Sequence, residues 1–242
     1  MIHDAIKSIV ELLTGLEIGL MLAGYYSKQY NRGLPIEKKV DILKILFLPF
    51  IDLCWWCEYE NHPKSIFIFH ICAWIGDVIL LKMGSNITFY LIGGAFFFLS
   101  HIAVIKCFNL KISYIPIKYF LLFIPIYIFP IIFLIPIFYH DFISNIGSFI
   151  YTLVILLAGS CSALRILQYH WQTLTFLFCY IGYILFSLSD SLLLSYNAQQ
   201  KERPMLVIMS TYIGAIILIT IGLSLQESTS KLSQPTQSDK DK

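Results

Sequence analysis

The sequence predicts an all-α membrane protein: a single bundle of eight transmembrane helices. Of the 242 residues, 57% are hydrophobic and 13% are charged, whereas soluble globular chains average roughly 45–50% apolar and about 25% charged residues. The mean hydropathy of +0.74 points the same way. Apolar runs also recur at about the 20-residue length that a helix needs to cross a bilayer. We therefore expect one membrane domain over residues 1–225.

The eight predicted spans follow one another with short polar breaks between them. They cover residues 6–25, 40–56, 65–83, 88–108, 114–139, 143–164, 180–194 and 204–225. The fifth span contains Pro116, Pro125, Pro130 and Pro136. It is expected to kink or break, because proline lacks a backbone N–H and clashes with the preceding turn. Residues 226–242 are rich in Ser, Thr, Gln, Lys and Asp and predict a disordered tail.

Several classes of partner and cofactor are not expected. The formal net charge of +2 is small, and no dense basic block predicts a nucleic-acid partner. No metal site is predicted, because the sequence has no His-Glu-x-x-His motif and no close His/Cys cluster. No P-loop or dinucleotide fingerprint predicts a cofactor. Cys54 and Cys57 form a Cys-x-x-Cys pair, but without the strand–helix context of a redox motif.

The seventh span carries an aspartate in an apolar helix. At helical spacing, Tyr180, Tyr183, Ser187, Asp190 and Ser191 fall on one face, three or four residues apart. A carboxylate within the bilayer is costly and usually faces the interior of a bundle, so it indicates a functional site. The alternative is a packing role, in which Asp190 hydrogen-bonds to a Tyr or Ser of another helix.

Asp77 is the second aspartate in apolar surroundings. It follows Gly76, just as Asp190 follows Ser189. Two carboxylates in one pocket of low dielectric constant do not both ionise easily, and such a pair is suited to act as general acid and general base. Three polar residues of other spans could bind a phosphate or orient a carboxylate: Lys44, His101 and Tyr212.

The local sequence also predicts separate roles for the two aspartates. Serine hydroxyls at 187, 189 and 191 could donate to an ionised Asp190, whereas the neighbours of Asp77 are mainly apolar. The pattern therefore predicts Asp77 as the protonated acid and Asp190 as the carboxylate. Lys44 and His101 are the best candidates to bind a phosphate, Lys44 as a point charge. Asp52 lies near a span end and is expected to be hydrated.

Four short motifs resemble the YhhN family in their order and spacing. They are Gly-Asp-Val-Ile-Leu at 76–80, Gly-Gly-Ala-Phe leading to Ser-His-Ile over 93–102, Phe-x-x-Ser-Asp-Ser-x-Leu at 186–193, and Ser-Thr-Tyr at 210–212. Each motif is short, and the ordered set is what carries the resemblance. It extends over roughly residues 44–222.

The YhhN family includes the eukaryotic lysoplasmalogenases. The resemblance therefore implies a hydrolase that cleaves the vinyl ether of a lysoplasmalogen to a fatty aldehyde and glycerophospho-ethanolamine or -choline. The implied partner is a lysophospholipid within the membrane, of the endoplasmic reticulum in a eukaryote or the inner membrane in a bacterium. By position, the paired aspartates of the family fall on Asp77 and Asp190, its histidine on His101 and its second-span lysine on Lys44.

Tyr183, Ser187 and Tyr212 complete the predicted substrate-binding residues. Ile45, Val104 and Ile216 stand where the family pattern has Pro, Tyr and Gln. Acid–base hydrolysis by two carboxylates needs no cofactor and parallels glycosidase chemistry. Two other functions stay open: a transporter that uses the aspartates as proton relays, and a lipid-binding membrane protein without activity.

Overall fold

The chain folds into helices throughout the part that the structure describes. The computed structural model describes residues 2–30, 32–59, 63–81, 87–110, 114–140, 145–169, 173–199 and 204–232. In these ranges there are eight α-helices: α1 (Ile2–Tyr30), α2 (Val40–Glu58), α3 (Lys64–Leu81), α4 (Ile87–Phe108), α5 (Ile124–His140), α6 (Ile146–Leu164), α7 (Leu174–Ala198) and α8 (Met205–Leu232). Short 3-10 segments cover Pro35–Lys39, Ile117–Phe123 and Arg165–Leu167. Because no strand occurs in the described ranges, the prediction of an all-α fold is confirmed.

Six of the helical segments are long and apolar enough to cross a membrane. They are α3, α4, the 3-10 segment together with α5, α6, α7 and α8. This makes the chain a multi-pass membrane protein. The remaining helices, α1 and α2, have comparable length, but they contain more charged side chains.

The proline-rich span is interrupted as expected. Its first part is the 3-10 segment Ile117–Phe123, and α5 begins at Ile124. Pro125 therefore lies in the first turn of α5, where backbone N–H groups have no acceptor within the helix, so the proline removes no helical hydrogen bond. Pro130 lies inside α5 and leaves the carbonyl of Ile126 without its usual donor. The hydroxyl of Ser187 on α7 donates to this carbonyl at 2.6 Å, which satisfies it inside the bundle.

Close packing of α7 on α8 forms the centre of the bundle. A Cβ at Gly222 would lie 3.0 Å from the backbone nitrogen of Cys179 and 3.1 Å from the carbonyl oxygen of Thr175. At Gly182, a Cβ would lie 3.2 Å from the carbonyl oxygen of Ala215. Small residues at both positions let the two backbones approach, as is common between membrane helices.

The ends of α7 and α8 differ from the sequence prediction. Helix α7 covers Leu174–Ala198 and so extends beyond both ends of the predicted span, residues 180–194. Helix α8 continues to Leu232, so residues 226–232 of the predicted tail are helical. Residues 233–242 lie outside the described part of the chain.

A buried arginine fixes the turn that follows α6. Arg165 has no exposed surface, and its guanidinium lies 4.9 Å from the ring centroid of Phe108 and 5.1 Å from that of Tyr169. Its Nη2 donates to the hydroxyl of Thr175 at 2.7 Å and to the side-chain oxygen of Gln226 at 3.0 Å. The residue thereby links the end of α6 to α4, α7 and α8.

Candidate active site

A cavity lies at the end of the bundle where α3 ends and α4, α6 and α8 begin. Its volume is about 350 Å³, within the range of about 300–1,000 Å³ for small-molecule pockets. Helices α2, α3, α4, α6, α7 and α8 all contribute to its walls, which are mostly apolar. The polar lining includes Lys44, Asp77, Tyr151, Ser189, Asp190 and Tyr212. Asp77 and Asp190, from α3 and α7, thus line the same cavity.

Asp77 is held by two side chains from other helices. The Nζ atom of Lys44 on α2 lies 2.8 Å from Oδ1 of Asp77, and the hydroxyl of Tyr212 on α8 donates to Oδ2 at 2.7 Å. The side chain of Asp77 is 3% exposed and that of Lys44 is 12% exposed. The ammonium that the sequence assigned to a lipid phosphate is therefore already paired with a carboxylate, in a charge-assisted contact.

Asp190 has a different environment. The hydroxyl of Tyr151 on α6 donates to its Oδ2 atom at 2.6 Å, and the residue is buried. Among the described residues, no cation lies within ion-pair distance of Asp190. The expectation that Ser187 and Ser189 donate to this carboxylate is wrong. Both hydroxyls instead donate to backbone carbonyls. Ser187 donates to the carbonyl of Ile126 on α5, and Ser189 donates to the carbonyl of Ile208 on α8 at 2.9 Å.

The seven predicted site residues divide into two groups. Lys44, Asp77, Asp190 and Tyr212 line the cavity, whereas His101, Tyr183 and Ser187 do not. His101 is completely buried behind the cavity wall. Its Nδ1 lies 3.4 Å from the hydroxyl of Tyr183 and its Nε2 lies 3.4 Å from that of Tyr151. His101 therefore contacts the hydroxyl of Tyr151 and does not itself face the cavity.

Tyr151 is the site residue that the sequence analysis missed. Among the tyrosines of the spans, only Tyr183 and Tyr212 are predicted substrate-binding residues. A signal was present, because Ser148 and Tyr151 are three residues apart in an apolar helix and so share a face. Both line the cavity, where Ser148 also lies within hydrogen-bond distance (2.9 Å) of the Tyr90 hydroxyl.

A second polar cluster lies deeper in the bundle, on the same three helices that hold Asp77. It consists of Asp52 on α2, His70 on α3 and Thr220 on α8. The Nδ1 atom of His70 contacts Oδ1 of Asp52, and its Nε2 lies 2.7 Å from the hydroxyl oxygen of Thr220. His70 precedes Asp77 by seven residues on α3, or about 10 Å along the helix axis. The side chain of Asp52 is 24% exposed and contacts His70, so the expectation that it is hydrated stays a prediction.

Comparison with known protein families adds to this geometry. The sequence model of the YhhN family matches residues 41–223. The chain belongs to the YhhN family. The matched region includes every residue that lines the cavity. Comparison with curated proteins and with solved structures gives no match.

From the sequence, departures from the family pattern are expected at three positions, Ile45, Val104 and Ile216, and none of them lines the cavity. Val104 and Ile216 are completely buried in the apolar core. Ile45 is half-buried, and its backbone carbonyl accepts a hydrogen bond of 2.8 Å from the indole of Trp74. The side chains that surround the two carboxylates are therefore separate from these three positions.

Proposed function

We propose that this YhhN protein is an intramembrane hydrolase that cleaves the vinyl ether bond of a lysoplasmalogen. One observation carries the proposal: two buried carboxylates and a single lysine line one apolar cavity in the described part of the chain. Membership of the YhhN family is consistent with a hydrolase. The products would be a fatty aldehyde and glycerophospho-ethanolamine or -choline.

The charges of the cavity set the roles of the two aspartates. An unpaired charge in a membrane interior is costly. The positive charge of Lys44 balances one carboxylate, and the contact of 2.8 Å selects Asp77. Asp190, whose hydrogen-bond donor is the neutral Tyr151, then carries a proton. Asp190 is thus the general acid and Asp77 the carboxylate, the reverse of the roles predicted from the local sequence.

The reaction proceeds by protonation of carbon. The carboxyl of Asp190 gives its proton to the β-carbon of the vinyl ether, and the π electrons form the new C–H bond. The resulting oxocarbenium ion is stabilised by the negative charge of Asp77. Water then adds to the α-carbon of this ion, which is bonded to the ether oxygen, and gives up a proton to Asp190, which is now a carboxylate and is restored as the acid. The hemiacetal hydroxyl loses its proton as the C–O bond to the glycerol breaks, the glycerol oxygen takes up a proton, and the aldehyde is released.

We also propose that α1 and α2 cross the membrane, which gives eight spans in total. Helix α1 has 29 residues and is about 43 Å long, enough for a complete bilayer of about 40–45 Å. Its Glu17 is buried and Lys7 forms an ion pair with Glu58 of α2. The charged side chains of α1 and α2 are thus partly directed to protein rather than to lipid.

Three substrates and two variants test the hydrolase. Purified protein in detergent is incubated with a 1-alkenyl lysophospholipid, and the aldehyde is measured. The 1-alkyl analogue lacks the double bond and should release nothing, because the mechanism protonates that bond. The 1-acyl analogue should also be inert, since no nucleophile is proposed. Asp190→Asn and Asp77→Asn should abolish release while the protein stays folded. Absence of aldehyde from the wild-type protein, or equal turnover of the 1-alkyl analogue, contradicts the proposal.

A second candidate function is proton-coupled transport. The observation that favours it is the Asp52–His70–Thr220 cluster, which continues the polar groups of α2, α3 and α8 below the cavity. In proteoliposomes, a transporter would acidify or alkalinise the lumen when lysophospholipid is added, and His70→Phe would stop this. A hydrolase would release aldehyde without such a change. Binding of lipid with neither response would indicate a binding protein.

A further inference from the structure

One wall of the cavity contains exposed apolar side chains. The lining residues that are exposed are Leu91 and Ala95 of α4 and Ile150 of α6. About half of the surface of Leu91 and Ile150 is accessible, 52% and 51%. All three are apolar and lie on two neighbouring helices. The part of the cavity wall that α4 and α6 form is therefore apolar and exposed on the outer surface of the bundle.

Beside Gly94 on α4, this wall of the cavity has room for a ligand. A Cβ at Gly94 would have no heavy atom within 4 Å, whereas a Cβ at Gly147 would lie 3.2 Å from Cδ2 of Leu91. Helices α4 and α6 are thus in contact near the end of the bundle and leave space beside Gly94, deeper in the membrane. Phe98, one turn further along α4, also lines the cavity. From Leu91 to Phe98 this side of α4 extends about 10 Å.

The reacting groups lie at the depth where a lipid joins its headgroup to its chain. Asp77 is four residues from the end of α3 and Asp190 eight residues from the end of α7, or about 6 and 12 Å below those ends. Each headgroup layer of a bilayer is about 5–8 Å thick, since the hydrocarbon core accounts for about 30 of 40–45 Å. An ether on glycerol therefore sits at the carboxylates while its chain points towards the bilayer centre.

We propose that the surface formed by Leu91, Gly94, Ala95, Phe98 and Ile150, here named the chain groove, binds the hydrocarbon chain of the substrate. The chain enters sideways from the bilayer between α4 and α6, and the lipid does not have to leave the membrane. This inference rests on the proposed function for the identity of the lipid. The groove is continuous with the cavity that contains both aspartates, which specifies a single-chain amphiphile with its polar end at Asp77 and Asp190.

A plug in the chain groove tests the route. Gly94→Leu places an isobutyl group in the open space of the groove. The matched control is Gly19→Leu, because Gly19 of α1 is exposed, has equally open space around it and lies outside the cavity. Gly94→Leu should lower kcat/KM for a hexadecenyl lysophospholipid by about tenfold or more, the effect of overpacking an occupied site. The control should change little.

A short chain makes the test specific. A butenyl analogue has only four carbons in its chain and fills little of the groove, so Gly94→Leu should lower its kcat/KM much less than that of the hexadecenyl lipid. For each lipid, the kcat/KM of the variant is divided by that of the wild type, which cancels the different partitioning of the two lipids into detergent. An equal loss for both chain lengths, or an equal loss in Gly19→Leu, overturns the proposal.

A second measurement does not depend on turnover. A saturated 1-alkyl lysophospholipid with a photoactivatable diazirine in its chain is crosslinked to the wild-type protein in bilayer nanodiscs, and the labelled peptides are identified by mass spectrometry. Excess unlabelled lysophospholipid should suppress labelling of α4 and α6 around Leu91, Ala95 and Ile150, while background labelling of the outer lipid-facing helices stays. Such labelling in a protein that releases no aldehyde would refute the hydrolase but keep the groove. Aldehyde release without competed labelling of α4 and α6 would refute the groove.

Discussion

Lys44→Met removes the cation that pairs with Asp77 and keeps an unbranched side chain of similar length. At an effective dielectric constant of about 20, two charges separated by the observed 2.8 Å attract by about 6 kcal/mol. Desolvation opposes this attraction. Loss of one partner from a buried pair is nevertheless expected to cost about 3–5 kcal/mol of stability, because the other charge is left uncompensated. Uptake of a proton by Asp77 would relieve part of this cost and remove the negative charge that stabilises the oxocarbenium ion.

The variant should therefore lose both stability and kcat. Loss of one preorganised electrostatic group lowers kcat by about 10²–10³-fold in comparable sites, with little change in KM. Aldehyde release measures the rate. Thermal unfolding in detergent can be followed with a thiol-reactive fluorophore, because Cys179 is completely buried and becomes reactive on unfolding. The double variant Lys44→Met/Asp77→Asn has no charge on either side and should regain most of the stability but no turnover.

Two results would refute this reasoning. If Lys44→Met keeps kcat and raises KM, the lysine binds the lipid phosphate, as the sequence predicted, and the proposed protonation states fail. If the stability losses of Lys44→Met and Asp77→Asn simply add up in the double variant, the cycle gives no coupling between Lys44 and Asp77.

Three other substitutions, one of them with a matched control, give distinct expected outcomes. Tyr151→Phe removes the hydroxyl 2.6 Å from Asp190 and should lower kcat by about 10–100-fold, the effect of one hydrogen bond to a carboxyl group. Unchanged aldehyde release would show that Tyr151 has no role in the reaction. His70→Phe should lower stability by about 3 kcal/mol in thermal unfolding, while turnover of the folded protein is kept; lost turnover at normal stability would place the cluster in the reaction. Gly222→Ala should destabilise the bundle, because its Cβ would lie 3.0 and 3.1 Å from two backbone atoms of the facing helix. The control Gly15→Ala has open space around its Cβ and should stabilise α1 by about 1 kcal/mol at most. Equal melting temperatures of the two variants would contradict the packing of α7 on α8.

The sequence predicted the helical membrane fold and the two aspartates for the same physical reason. Apolar runs of the right length and carboxylates inside them both produce strong signals, because the bilayer makes every exposed polar group costly. The break in the fifth span was also predictable, since the effect of proline on a helix is local. All of these features depend on residues that are close together in the chain.

The partners of the aspartates depend on how distant helices face one another. Tyr212 and Asp77 are 135 residues apart in the sequence, and neither the periodicity nor the composition of one helix specifies its neighbour. Ser187 illustrates the difficulty. Its place beside Asp190 favoured a hydrogen bond to that carboxylate, but Pro130 on α5 leaves a carbonyl that the serine hydroxyl satisfies instead. The assignment of acid and base changes with these contacts.

The polar pairs between α2 and α3 bear on how the chain enters the membrane during synthesis. Lys44 and Asp52 would each oppose insertion of α2, at a cost below the about 2.5–3.5 kcal/mol of a charge at the centre of a helix, and α2 is not among the helices that are long and apolar enough to cross a membrane. Their partners, Asp77 and His70, are both on α3, which is apolar enough. If the two helices leave the translocon as a hairpin, each charged side chain of α2 meets its partner before it meets lipid. The unit of insertion in this part of the chain would then be the helical hairpin, with α3 carrying α2 into the bilayer.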